Sequence, residues 1–395
     1  SDLICAFAPG KVFYAQGFCE ETQEYIGNER YLKKEQELVK EALSLAKSCD
    51  KVVFFMGQAA GAEMEGHDRS CLSMPLNQIQ LLEKIVSVNK KIIVVLSNAS
   101  PVEMPWESMV SGIFEAFIAG QGFGRAIARL LYGDVTPSGR LPVSFTKCIE
   151  DTSADINFPG DGRTVSYGEG VFVGYRYYDR KKTDVLYPFG YGLSYTVFEY
   201  LELRTQGPVF GQQQKTFKIS VSLKNTGSRP GAETIQLYIG MFDCKAKRPV
   251  KELKGFKKIF LKPGEEQSVD MFLTKKDFAY YDSGRHHWYV PEGNYEIMAG
   301  TSSRDIRLCK TIRVEPEIQK FSLLTGWSLM EDLSATPMGK YYYEKIKEIL
   351  NQYMPDNSLL FSKKDLENEK KLSKMPLRFV NLLTNGIVNN DTLLE

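Results

Sequence analysis

Two short, wholly apolar runs limit the first half of this chain more than any other feature. Val52 to Met56 reads VVFFM and Ile92 to Leu96 reads IIVVL, with no polar residue to face water. Strands of that kind suit burial on both faces, as in parallel sheets. Between them, Pro75 to Asn89 sets Leu81, Leu82, Ile85 and Val86 on one helical side. Tyr31 to Ser48 repeats at the same helical spacing, with several Glu and Lys. Gly112 to Ile118 is a third candidate strand, and Gln121 to Tyr132 a third helix stopped by Gly133-Asp134. Strand alternating with helix predicts a doubly wound or sandwich-type α/β domain, here residues 1–145.

The period then changes. Residues 146–196 hold Pro159, Pro188 and many Gly and Tyr residues, which reads as an ordered, aromatic-rich connector. In 197–315 the pattern becomes period two. Phe217 to Leu223 alternates cleanly, and Ala232 to Ile239, Gly255 to Leu261, Ser268 to Leu273 and Tyr295 to Ala299 are further short strands. Turn residues separate them at Asn225-Thr-Gly227, Lys262-Pro-Gly264 and Pro291-Glu-Gly293. Seven or so short strands predict an immunoglobulin-like β-sandwich. Without a Cys-Trp-Cys spacing, the fibronectin type III variety fits best. Residues 316–395 are charged and helical, with Tyr341 to Tyr353 and Lys363 to Lys374 as helices. The fold class is thus multi-domain: an α/β sandwich domain, a fibronectin type III-like domain and a helical tail.

Composition narrows the partners. Lys and Arg number 50 against 49 Asp and Glu, so no electrostatic footprint for nucleic acid or an acidic membrane surface follows. No apolar run approaches the ~20 residues that cross a bilayer, and Ser1 to Ile4 shows no signal-peptide pattern. Seven scattered cysteines and three histidines argue against a disulfide framework or a metal centre, and lean toward the cytoplasm. No cofactor is expected.

The chemistry concentrates in Gly57-Gln-Ala-Ala-Gly-Ala-Glu63-Met-Glu65-Gly66-His67-Asp68-Arg69, which starts where the VVFFM strand ends. Loops at the carboxyl ends of strands are where open α/β sheets hold ligands. Glu63 and Glu65 are candidate acid/base groups there. The bland reading is a surface loop whose charges are solvated or paired with Arg69. Trp106 is a candidate sugar-stacking residue, though such a Trp more often fills a core. Tyr175-Arg-Tyr-Tyr178 lines a cleft or packs an interdomain joint. Asn225-Thr-Gly is a hairpin signal. Trp288 and Tyr289 are the one exposed-aromatic candidate in the sandwich.

Glu65-Gly-His-Asp-Arg69, Leu72-Ser-Met-Pro75 with Gln78, Ser138-Gly-Arg-Leu-Pro142, Tyr167-Gly-Glu-Gly170, Val173-Gly-Tyr-Arg-Tyr-Tyr-Asp179 and Pro188-Phe-Gly-Tyr-Gly-Leu-Ser-Tyr-Thr196 occur in order. So do Gly231-Ala-Glu233, Glu252-Leu-Lys-Gly-Phe256 and Ser302-Ser-Arg-Asp305. Together they resemble the C-terminal portion of glycoside hydrolase family 3. The resemblance implies a retaining β-glycosidase that needs no metal or cofactor. In it, an Asp on a TIM barrel attacks the anomeric carbon, and a Glu from the following α/β domain protonates the leaving oxygen and later activates water. The two carboxyls then sit about 5–5.5 Å apart. The motif match puts the acid/base at Glu65, with Glu63 as the runner-up, and gives Asp68 and Arg69 the task of holding the loop.

A TIM barrel takes about 250 residues, and no stretch here supplies one. The nucleophile is therefore expected outside this chain, on a barrel encoded in the same gene or carried by a separate chain. The expected reaction is exo-hydrolysis of terminal, non-reducing β-D-glucosyl residues from a glucoside or short oligosaccharide, with β-xylosides as the alternative. A reading from another class is a non-catalytic sugar-binding or scaffolding module, which a missing nucleophile would favour.

Overall fold

The computed structural model describes residues 11–19, 29–58, 61–66, 68–241, 243, 246–283, 287–316, 326–334, 337–354, 361–384 and 386. Expectations that rest on Ser1 to Ile4, Cys5, His67, Cys244 and His286 concern residues outside that set. The chain divides into two compact units.

In the first unit the apolar runs become β1 (Val52–Gly57) and β2 (Ile92–Ser97), and β3 (Gly112–Glu115) adds a third strand. The order is β1-β2-β3 and both pairings are parallel, with Val52 opposite Ile92 and Val94 opposite Ile113. Helices α1 (Glu29–Ser48) and α2 (Leu76–Val88) precede β1 and β2, a single 3-10 turn links β2 to β3, and α3 (Phe123–Leu131) follows β3. Phe54 and Met56 of β1, Ile92, Val94 and Leu96 of β2, Leu81, Leu82 and Ile85 of α2, and Ala42 and Ala46 of α1 form one buried core. Trp106 belongs to that core and is 1% exposed, so it cannot stack on a sugar. β3 stops three residues short of Ile118, because Phe117 turns the chain with a left-handed φ of 48°.

Residues 146–196 carry little regular structure apart from α4 (Tyr175–Lys181). Aromatic packing orders them instead. Tyr175 stacks on Phe189 with ring centres 4.8 Å apart, and its hydroxyl accepts from the Leu253 amide at 2.9 Å. Tyr178 is buried. Tyr175 therefore packs the joint to the β-sandwich, where it also meets Tyr238 edge-on.

The remaining strands are β4 (Phe198–Thr205), β5 (Val209–Phe210), β6 (Phe217–Asn225), β7 (Gly231–Gly240), β8 (Glu252–Leu261), β9 (Glu266–Leu273), β10 (Tyr280–Asp282), β11 (His287–Tyr289), β12 (Gly293–Gly300) and β13 (Ile306–Val314). One antiparallel sheet of the first unit runs β4-β6-β9, and a second carries β13-β12-β7-β8. Phe217, Ile219, Val221 and Leu223 of β6 are wholly buried, as are Ile235 and Leu237 of β7 and Tyr295 and Ile297 of β12. This is the fibronectin-like sandwich that the period-two pattern predicts.

Asn225-Thr-Gly does not close a hairpin. β6 and β7 lie in different sheets, so the turn carries the chain across the sandwich. The buried Asn225 amide explains its presence: Oδ1 accepts from Thr196 Oγ1 (2.7 Å) and the Gly227 amide (3.1 Å), and Nδ2 donates to the Arg229 and Leu261 carbonyls. Both amide ends are satisfied, as a buried polar group requires.

In the second unit, β5 pairs with the end of β13, Val209 opposite Arg313. Buried Lys275 donates to the Phe210 carbonyl at 2.7 Å and to the Glu315 carbonyl, with its ammonium over the Phe210 ring. Helices α5 (Met330–Leu333), α6 (Pro337–Tyr353), α7 (Lys363–Glu367), α8 (Glu369–Ser373) and α9 (Arg378–Leu383) close around Ile346, Leu350, Leu372, Met375 and Val380. The helix expected over Lys363 to Lys374 is broken in two. Asn368 takes an extended backbone (φ −87°, ψ 93°), which ends α7 and starts α8.

Candidate functional site

The carboxyl ends of β1, β2 and β3 bring three acceptors and one guanidinium together. β1 ends at Gly57, whose amide and carbonyl are both held by the buried Gln78 side chain of α2, at 3.1 and 2.9 Å. The Glu63–Arg69 loop leaves from there. Glu63 folds back onto the end of β2. Its Oε2 accepts from the Ala99 amide at 2.6 Å, and its Oε1 accepts from the Ser100 amide (3.2 Å), Ser100 Oγ (3.1 Å) and Arg69 Nη1 (3.1 Å). Arg69 Nη1 also donates to Ser100 Oγ at 2.7 Å. The Glu63 and Arg69 side chains are 13% and 16% exposed.

Glu65 lies between these two anchors and behaves differently. It is exposed and has no hydrogen-bond or ionic partner among the described residues. Gly66, at φ 82°, turns the chain immediately after it. Asp68 is exposed as well. The structure thus brings Glu63 and Arg69 together and leaves Glu65 facing outward. The paired-with-Arg69 reading of this loop holds for Glu63 alone.

Glu115 completes the cluster from the end of β3. Its Oε1 accepts from the Phe117 amide at 2.9 Å and its Oε2 from Asn98 Nδ2 at 3.4 Å. Burial pushes the Glu115 carboxyl up to about 7 against the pull of those two hydrogen bonds, and the Glu63 charge adds to the rise. Asn98 is itself buried and also donates to the Ser100 carbonyl at 2.8 Å. Sequence reasoning missed Asn98, Ser100 and Glu115. The signal was available: Asn98-Ala-Ser100 directly follows the IIVVL strand, and Glu115 is a charge ending another.

The sign of the Glu115 shift gives a test. Its folded value lies above the ordinary 4.5. The folded chain therefore holds a proton that the unfolded chain releases. Stability is full below pH 4.5 and falls as pH rises to about 7. Urea unfolding should lose ~3 kcal/mol across that window, and Glu115→Gln should flatten the slope. An unchanged slope in the variant would assign it to another group.

Trp288 is 67% exposed and meets Tyr281 edge-on at 5.9 Å, while Tyr289 packs against Tyr280. Both pairs lie in the second unit. Among the described residues, no group of three His, Cys, Asp or Glu side chains could hold a metal ion. No helix there is long and apolar enough to cross a membrane.

Two domain profiles match this chain. The glycosyl hydrolase family 3 C-terminal domain covers residues 7–195, and the fibronectin type III-like domain covers 233–303. They define the class: the C-terminal portion of a glycoside hydrolase. Among similar proteins, thermostable beta-glucosidase B of Acetivibrio thermocellus is 39% identical over 364 residues, 91% of this chain and 47% of the relative. An exo-alpha-(1->6)-L-arabinopyranosidase of Bifidobacterium breve is 42% identical over 76% of this chain and 39% of its own length. The crystal structure of the GH3 beta-glucosidase of Bifidobacterium adolescentis superposes with a TM-score of 0.76 at 36% identity, covering 86% of this chain and 48% of that one. The chain belongs to glycoside hydrolase family 3 and spans about half the length, or less, of these relatives.

Proposed function

We propose that this chain is the acid/base-bearing part of a retaining, exo-acting β-glucosidase and that Glu65 is its general acid/base. One observation carries the reading. Of the two glutamates on the loop, Glu63 has both oxygens occupied by protein donors, and only Glu65 is free to meet a substrate. A general acid must reach the leaving oxygen within about 2.6–3.2 Å, which a clamped carboxylate cannot do. Glu65 gives its proton to the glycosidic oxygen as the sugar passes to an Asp nucleophile, then takes a proton from the water that releases the sugar. That Asp resides on a TIM-barrel portion of the same enzyme, which completes the site.

The sugar is assigned as glucose, on the names of the Acetivibrio and Bifidobacterium adolescentis relatives. The arabinopyranosidase relative makes the assay comparative. Nitrophenyl β-glucoside, β-xyloside and α-L-arabinopyranoside are offered to this chain alone and to the chain combined with its barrel portion. Turnover in the combined form only, with the glucoside preferred, is the expected result. Preference for another sugar would correct the substrate. No turnover on any of them would favour the sugar-binding or scaffolding reading.

A further inference from the structure

We propose that Glu63 is a positioning residue, which together with Arg69 and Ser100 fixes the loop that presents Glu65. The proposal rests on Glu65 being the acid/base. Glu63 and Arg69 sit at the two ends of the short segment that contains Glu65, and their side chains meet at 3.1 Å. The contact cinches the loop at its base. The base is then fastened to a second element, because Glu63 takes the Ala99 and Ser100 amides and Ser100 Oγ bridges Glu63 to Arg69. Those amides follow β2, whose Ile92, Val94 and Leu96 are buried in the core. Gln78 holds the root of the loop at Gly57 in the same way.

The arrangement divides the labour between two like residues two positions apart. Met64, between them, is 52% exposed and does not belong to the core that steadies the strands. What steadies it is the carboxylate of Glu63. A catalytic group has to be held to a fraction of an ångström, and a misplacement of about 1 Å costs roughly 10²-fold in rate. Replacing Glu63 by Gln removes the charge that pairs with Arg69 and leaves one acceptor oxygen where there were two, so the Ala99 amide and the Arg69 guanidinium cannot both keep a full partner. The clamp opens, and Glu65 keeps its chemistry but loses its place.

The test uses the barrel-complete enzyme with two β-glucosides, one with a poor alkyl leaving group and one with a dinitrophenyl leaving group that needs little acid help. Glu63→Gln and Ser100→Ala should lower kcat/KM, which reports the acid-assisted first step alone, by ~10- to 100-fold on the alkyl glucoside, and far less on the dinitrophenyl one. The basic limb of the pH–rate profile should stay. Azide should not accelerate either variant. In Glu65→Ala, by contrast, azide attacks the anomeric carbon of the glycosyl-enzyme and displaces the Asp carboxylate, giving a glucosyl azide without needing a base. An equal fall on both substrates would make Glu63 merely structural. Azide rescue of Glu63→Ala with loss of the basic limb would make Glu63 itself the acid/base. Either result overturns the proposal. Should Glu63→Gln fail to fold, Ser100→Ala carries the comparison, since it removes a neutral hydroxyl. A Glu65→Ala enzyme of undiminished activity would instead strike the underlying assignment, which keeps the two failures apart.

Discussion

Glu65→Gln lowers kcat for a β-glucoside with a poor leaving group by about 10²- to 10⁴-fold in the barrel-complete enzyme, the range that one general acid/base supplies. The basic limb of the pH–rate profile disappears with it, since that limb reports the loss of the acid's proton. Stability should barely move. Glu65 is exposed and without a described partner, and surface substitutions of that kind stay within about 0.5 kcal/mol. The combination of a large kinetic loss with an unchanged unfolding midpoint marks a residue kept for chemistry. Glu63→Gln should differ in both respects, because it removes an anchor with four donors. Full activity in Glu65→Gln would remove Glu65 from the mechanism.

The architecture was legible where burial writes directly into sequence. VVFFM and IIVVL became neighbouring parallel strands because so little in them can face water; IIVVL holds the centre of the described sheet, and VVFFM lies at its edge with Phe55 exposed. The alternation of Phe217 to Leu223 became β6, with the apolar members wholly buried. Failures occurred where one residue overrides a pattern. The Gly112 run looks strand-like through Ile118, yet the left-handed Phe117 ends it. Asn225-Thr-Gly carries the residues of a hairpin, but the turn's local chemistry does not say which sheet the next strand joins. That is decided by where Asn225 buries its amide. β4 and β13 escaped notice because their alternation is diluted by charges on the outer face, as in FEYLELRT.

The candidate site was half legible. The loop with its two glutamates was visible from the glycines and its position after a buried strand. Spacing alone could not tell the two glutamates apart, since two residues of the same type two positions apart are equivalent on an extended segment. Contacts from another strand separate them. Ser100 and the Ala99 amide come from the end of β2, some 35 residues on in sequence, and the Asn98 bond to Glu115 likewise depends on β2 and β3 ending side by side. Backbone amides carry no sequence signature, so their role emerges only when the fold places them.

The same dependence on distant partners sets the largest expected effect on stability. Arg140, within the Ser138-Gly-Arg-Leu-Pro142 motif, sends Nη2 to both oxygens of Glu233 on β7, each at 2.6 Å, while its Nη1 donates to the Gly192 carbonyl. The two side chains are 12% and 4% exposed. Glu233 also accepts from the Thr234 amide at 2.8 Å. Burial pushes its carboxyl upward by more than Arg140 pulls it down, which shows how little water reaches the pair. Removing one member strands a charge in that place. Arg140→Met should therefore cost about 3–5 kcal/mol in urea unfolding. Pairing it with Glu233→Leu should recover most of the loss, because two apolar side chains leave no buried charge. The penalty of Arg140→Met alone should also depend on pH. With its folded value raised further, the lone Glu233 keeps a proton that the unfolded chain gives up, so stability is retained in acid and lost as pH rises above the ordinary carboxylate range. A deficit larger at pH 8 than at pH 5 in the single variant, and flat in the double, is the pattern expected of a buried pair. A single variant within 1 kcal/mol of the parent at both pH values would mean that water reaches Glu233 once Arg140 is gone, and that the pair contributes no more than one on the surface does.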